Sequence, residues 1–281
     1  MSPMRDDDVI DCMAQMKGDG QPFAVATIVS TGGATAAKPG AKAVFRADGG
    51  QVGWIGGGCT VGAVRKIALT ALEDGRTRLV RIRPDPTGER VESVEEVRSH
   101  CPSGGTVEVF VEPVLPRPAL IVCGASPTAR ALADLAPRIG FSVTVAALAG
   151  DQALFDAADH RITGFEIGAA PRIAGAYVIV ATQGKRDTEA LRHALASDAA
   201  WIGFVGSRKK VATVKEWLAE DGTPADRLAR LHAPAGLPIG AATPEEIALA
   251  VLAEIVQDRR IGAADPARPT AADADAQARL S

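Results

Sequence analysis

Leu120-Ile-Val-Cys-Gly-Ala-Ser-Pro-Thr-Ala129 decides the fold. An apolar strand runs into Gly124, and Ser126 is placed to cap a helix that opens on Pro127. Strand, glycine turn and helix in this order begin an open parallel sheet. Aligned on the dinucleotide fingerprint, the stretch reads Gly124-x-Ser126-x-x-Ala129. Ser126 stands where a glycine would let backbone approach a pyrophosphate. The next strand ends in Ala146-Ala147-Leu148, with no acid there for a ribose hydroxyl, and Asp151 comes slightly late. Cys123 closes the buried strand and reads as a core thiol.

Outward from this stretch the pattern repeats. Ala119–Cys123 reads as a strand, 127–139 as a helix with Leu132, Leu135 and Ile139 on one face, and Phe141–Ala147 as a strand. Tyr177–Thr182 and Trp201–Val205 follow, each with a helical segment behind it. Strands alternating with helices predict a parallel sheet. Ala181-Thr-Gln-Gly184 puts Gln183 just past a strand's carboxyl end, where such sheets bind ligands. Phe204-Val-Gly-Ser-Arg-Lys-Lys210 places Gly206, Ser207 and Arg208 at a helix start. Three cations disfavour that helix end, which points to an anion site over a merely solvated basic patch. Thr243 and Glu246 form a capping box with Pro244 first in the helix, and Ile247, Val251 and Ile255 supply its buried face.

The first half is organised differently. A short helix is expected over 7–17. Strands are expected at Phe23–Ser30, Ala41–Arg46, Gln51–Ile55, Arg76–Arg83 and Thr106–Val114. A helix is expected over Thr60–Asp74, ended by Gly75. Its densest feature is Val52-Gly-Trp-Ile-Gly-Gly-Gly-Cys-Thr-Val-Gly62. Gly56, Gly57 and Gly58 allow close backbone approach. Cys59 falls near a helix N-terminus, where the dipole favours a thiolate, a nucleophile and soft metal ligand. The plain alternative is a tight turn with a small buried residue. Ser99-His-Cys-Pro-Ser-Gly-Gly105 sets Cys101 beside His100 and two glycines, or is simply a polar turn. No CxxC pair supports structural zinc.

Three prolines in Pro113-Val-Leu-Pro-Arg-Pro118 mark a break. The organisation read here is α/β. An N-terminal mixed α+β domain at 1–113 is followed by a linker at 114–118 and a Rossmann-like parallel-sheet domain at 119–263. A loose tail is expected at 264–281.

Composition bounds the function. Hydrophobic residues make up 47% of the 281 and charged residues 23%, which excludes general disorder. A net charge of −3 and 4% aromatics argue against a nucleic-acid binder. The first residues lack a signal peptide's basic and apolar regions, and no apolar run reaches the roughly 18 residues of a membrane span. A cytoplasmic protein without membrane insertion is expected, so Cys12, Cys59, Cys101 and Cys123 are expected to be reduced. His160, His193 and His232 read as surface or core residues.

Together these motifs resemble the XdhC/CoxI family of molybdenum hydroxylase accessory proteins. The resemblance runs from about Phe23 to Val256. It rests on Lys38-Pro-Gly-Ala-Lys42, Val52 to Cys59, Ile121 to Ala129, Phe204 to Arg208 and Gly236 to Glu246. Cys101-Pro-Ser-Gly-Gly105 with Ala181-Thr-Gln-Gly184 looks more like the carbon monoxide dehydrogenase (CoxF-like) branch. The resemblance implies binding of molybdenum cofactor, a molybdopterin or its cytosine dinucleotide. It also implies support for the cofactor's sulfuration and delivery to an apo molybdenum hydroxylase. A cysteine desulfurase or other sulfur donor would be a partner, and a homodimer is admitted. Cys59 matches the family's implicated cysteine and would contact the metal. Cys59 and Cys101 are thus the candidate reactive residues. Gly56 to Gly58, Gly124, Ser126, Ala129, Gln183 and Gly206 to Arg208 are the candidate cofactor contacts. The rival readings are an NAD(P)-dependent oxidoreductase and a non-enzymatic docking scaffold.

Overall fold

A computed structural model describes residues 6–85, 94–99, 104–184 and 186–262. The chain divides into two compact units, Met1–Pro116 and Arg117–Ser281. The expected tail at 264–281 lies outside the described residues, as do His100 and Cys101.

The first unit runs α1 (Asp6–Gly18), β1 (Phe23–Gly32), β2 (Lys42–Arg46), β3 (Gln51–Gly53), α2 (Gly58–Asp74), β4 (Arg78–Arg83), β5 (Val94–Arg98) and β6 (Thr106–Val114). Its sheet has the order β3-β2-β1-β6-β4-β5. All pairs are antiparallel except β4 with β5. Side chains alternate across a strand, and β1 uses both faces. Ala24, Ala26 and Ile28 pack with Val64, Ile67, Ala68 and Ala71 of α2. Phe23 and Val25 pack with Val9 and Met16 of α1. β5 was not expected, because Val-Glu-Glu-Val-Arg shows no apolar alternation. Charge holds it instead: Glu96 lies 3.1 Å from Arg81 and 2.9 Å from Arg83 of β4.

The second unit runs β7 (Ala119–Cys123), α3 (Pro127–Leu135), β8 (Ser142–Ala147), β9 (His160–Thr163) and β10 (Tyr177–Val180). It continues with α4 (Asp187–Ala196), β11 (Trp201–Phe204), α5 (Arg208–Glu220), α6 (Ala225–Ala229), β12 (Leu231–His232) and α7 (Pro244–Gln257). The sheet is entirely parallel, in the order β12-β11-β10-β7-β8-β9. This is the doubly wound order of a Rossmann domain, with its switch point between β7 and β10. The strands β7, β8, β10 and β11 are buried along their whole length. Ile121, Val178 and Ile202 face α4 and α5 residues such as Leu191 and Leu218. Leu120, Val122 and Ile179 face Leu132 of α3 and Val251 of α7.

The α-helix expected over 127–139 stops at Leu135 and tightens into a 3₁₀ turn, Ala136–Ile139. Pro137 enters there, and its ring cannot continue an α-helix. The short strands β9 and β12 escaped the sequence reading because β9 is mostly exposed and β12 has two residues. Among the described residues, no helix is long and apolar enough to cross a membrane.

Candidate functional site

In the first unit, β3 leads through Trp54 and Ile55 into the three glycines. Gly56 is buried with φ +123°, and a Cβ there would lie 3.3 Å from that of Ala37. Gly57 is the extended N-cap of α2, with no side chain to satisfy the helix's first amides. The helix therefore begins at Gly58, two residues earlier than expected, and Cys59 is its second residue. Cys59 is exposed. The first turn holds no acidic residue, so the helix dipole meets no internal counter-charge there. Cys59 lines a groove of about 640 Å³ together with Gly62, Lys66, Arg78, Glu95 and Arg98. Arg78 is neutralised by Asp74 and lies 3.7 Å from Glu95, while Lys66 and Arg98 are exposed cations. Any pairing of Cys59 with Cys101 lies outside the described residues. Among those residues, no three His, Cys, Asp or Glu side chains gather as a metal site, so Cys59 stands as a single soft donor.

In the second unit, β7 turns at Gly124, with φ +118°. A Cβ at Gly124 would lie 2.7 Å from the Ala181 carbonyl oxygen and 2.8 Å from the Thr182 Cα. The glycine is thus required by backbone crowding from the end of β10. Ser126 is buried, and its Oγ accepts the Ala129 N–H at 3.1 Å, which caps α3. Ala129 is fully buried within the helix–sheet core, so its role is packing and not ligand contact. Gly124, Ser126, Leu148, Asp151, Thr182 and Gln183 line a crevice at the switch point. Gln183 holds a left-handed φ of 55°, a strained conformation for a non-glycine residue lining this crevice.

Asp151 comes late along the chain, as read, and lies on a 3₁₀ turn at Ala149–Leu154 from which it lines the crevice. At the basic start of α5, Lys210 is paired, its Nζ 2.6 Å from buried Asp187 and 5.3 Å from the Phe204 ring centre. Asp187 also accepts from the Thr182 hydroxyl and, at 3.1 Å, from the Gly184 N–H. Ser207 caps α5 by accepting the Lys210 N–H at 3.3 Å. Arg208 is exposed and lies outside the lining of the crevice. Gln183, Ser126 and Gly206 share a second depression of about 280 Å³ with Lys210. Asp151, Thr182, Asp187 and Lys210 were not named as candidates, since they come from separate turns and helix starts that only the folded sheet brings to these two depressions.

Cys123 is fully buried, and burial pushes its thiol up to about 12. It belongs to the core, while Cys12 is half-buried beside Val9 and Met16.

Two family models match the chain in order. The model described as the XdhC and CoxI family covers residues 17–83, and the XdhC Rossmann domain covers 120–255. An uncharacterised Escherichia coli K12 protein, YqeB, is 36% identical over 251 residues, which are 87% of this chain and 45% of YqeB. A probable xanthine dehydrogenase subunit of Bacillus subtilis 168 is 33% identical over 164 residues, which are 55% of this chain and 47% of that protein. The chain thus spans about half the length of the curated relatives it matches. A crystal structure of a xanthine dehydrogenase from Bacillus halodurans aligns over 92% of this chain and 98% of its own, at 22% identity and a TM-score of 0.45. With its glycine–cysteine half and its doubly wound half each matched by one of the two models, the chain belongs to the XdhC and CoxI family.

Proposed function

We propose that this protein is a maturation factor that holds molybdenum cofactor as cargo for an apo molybdenum hydroxylase. The observation that carries the reading is the exposed Cys59 thiol in the first turn of α2, behind three glycines. A thiolate is a soft ligand suited to such a metal. The residues present fit the cargo: the amides of α2's first turn, with Lys66 and Arg98 along the same groove, offer charge and hydrogen bonds to its phosphate. The cargo brings the metal centre and its exchangeable sulfur. The chain's own part is to hold the cargo at Cys59 and orient it. Sulfuration, with a cysteine desulfurase or other donor, and delivery to the client are the steps this holding serves. The segments Cys101 to Gly105 and Ala181 to Gly184 favour a carbon monoxide dehydrogenase-type client over a xanthine dehydrogenase-type one. The test is to load the full chain with cofactor and measure retained molybdenum. Wild type is expected to retain it and Cys59→Ser to lose most of it. Equal retention overturns the role of Cys59.

A second reading rests on the crevice of the second unit. Asp151 lines the same crevice as Gly124 at the switch point, and an acid there would serve a ribose hydroxyl. On this reading the domain binds NAD(P) or the nucleotide end of the cargo. Sub-micromolar NAD(H) or NADP(H) affinity by calorimetry, with no binding of molybdenum cofactor, would reverse the order of the two readings.

A further inference from the structure

α7 is apolar on two sides, and the core takes only one of them. Its start is fixed by the capping box of Thr243 and Glu246, with Pro244 at the first position. From there Ala248, Val251, Leu252 and Ile255 enter the core of the second unit. On the outward side, Glu245, Leu249, Ala253, Val256 and Arg260 recur at steps of four, four, three and four, so they form one stripe along the helix. Leu249 is 57% exposed, Ala253 and Val256 are half-buried, and Glu245 and Arg260 at the two ends are exposed. A surface helix ordinarily turns polar residues to water on that side. Apolar residues at alternating three- and four-residue spacing are instead the seam by which helices pair. The neighbouring charges are already engaged. Glu246 accepts the Ala242 and Thr243 amides at 2.8 and 3.0 Å, and the Arg259 guanidinium lies 5.0 Å from the Phe141 ring centre. Among the described residues, no cation pairs with Glu245 and no carboxylate pairs with Arg260.

The stripe therefore runs from acid through three apolar residues to base, an order that complements itself in one arrangement. Laid antiparallel on a copy, about a two-fold axis between Leu252 and Ala253, it sets Glu245 opposite Arg260 of the second copy. The same register sets Leu249 opposite Val256 of the second copy, and the axis repeats both contacts. Ala253, beside the axis, is small enough to let the helices come close. A parallel arrangement would put acid on acid and base on base. We propose that this face of α7 is a docking surface for a second copy of the chain, paired antiparallel about that axis. A partner of one charge would match only one end of the stripe, whereas a second copy matches both. The pairing is independent of what the protein carries. One helix from each copy makes a contact at the small end of specific interfaces, so the dimer is a reversible one.

Sedimentation equilibrium of the full chain, at concentrations up to about 1 mM, tests this. Wild type is expected to dimerise reversibly. Glu245→Arg and Arg260→Glu, each checked for unchanged helix content by circular dichroism, are each expected to weaken the dimer about tenfold or more. The axis makes every like-charge contact occur twice. Leu249→Glu, at an exposed position that leaves the core intact, is expected to weaken it at least as much. An equimolar mixture of the two charge variants is expected to pair to within about threefold of wild type, since each copy then meets its opposite charge at both ends. Damage to the helix alone could not be rescued by mixing. Monomeric wild type overturns the proposal and leaves the face to another occupant. A wild-type dimer that neither charge variant weakens, or a weakened dimer that mixing fails to restore, overturns it as well.

Discussion

Cys59 and Cys123 carry the same group in opposite surroundings. One is exposed at a helix start, and the other is sealed within a parallel sheet with its thiol pushed up to about 12. Only a thiolate is alkylated readily, so iodoacetamide at pH 8 should label Cys59 in the native protein. It should reach Cys123 only in urea, as read by peptide mass mapping. Native labelling of Cys123 would contradict the burial described for it. Gly124→Ala should cost about 2 kcal/mol or more of stability, by urea unfolding, because strained φ and a backbone clash act together there. The glycine turn at 124 was legible in the sequence as the break between strand and helix, whereas the crowding by Ala181 and Thr182 that requires it was not. The contribution of Asp151 was not, because only the 3₁₀ turn at Ala149–Leu154 brings it to the crevice.

At the scale of elements, charge does for β5 what apolar alternation does for the other strands. Glu108 of β6 accepts the Ser30 hydroxyl at 2.6 Å and pairs with Arg81 of β4, which also meets Glu96 of β5. The Ser30 hydroxyl first, and then the Arg81 guanidinium, hold the Glu108 carboxyl below its ordinary range. A carboxyl depressed in the folded state stabilises above its unfolded value, about 4.3, and that stability is lost as pH falls through the folded value. The urea midpoint of wild type should therefore drop as pH is lowered below about 4.3. Glu108→Gln should be less stable at pH 7 and show a shallower drop. An unchanged acid slope in the variant would remove Glu108 from this account. The long strands and the capped helices α3 and α7 were legible because cap and periodicity agree in them. β5, β9 and β12 were not, since an edge strand needs little apolar surface and is fixed by its neighbour.

At the scale of the molecule, each apolar cluster among the described residues is drawn from one unit alone. Two lie within residues 9–114 and two within 119–256. Each unit thus carries its own core, which is the physical requirement for independent folding. Residues 117–281 expressed alone should unfold in one cooperative transition, measured by far-ultraviolet circular dichroism against urea; a featureless, sloping curve would show that this core does not suffice. The change from mixed to parallel sheet was legible as a change of pattern across Pro113 to Pro118.

The order of strands in the first sheet also has a consequence for synthesis. β6 is the last strand of its unit to be made, yet it lies between β1 and β4 in the middle of the sheet. The β1–β2–β3 hairpins and α2 leave the ribosome first, and Cys59 leaves with them, before the strand that joins the two halves of the sheet. A nascent chain therefore carries this thiol at the start of α2 while the sheet behind it is still open, and any cargo or oxidant that meets it early meets an unfinished site.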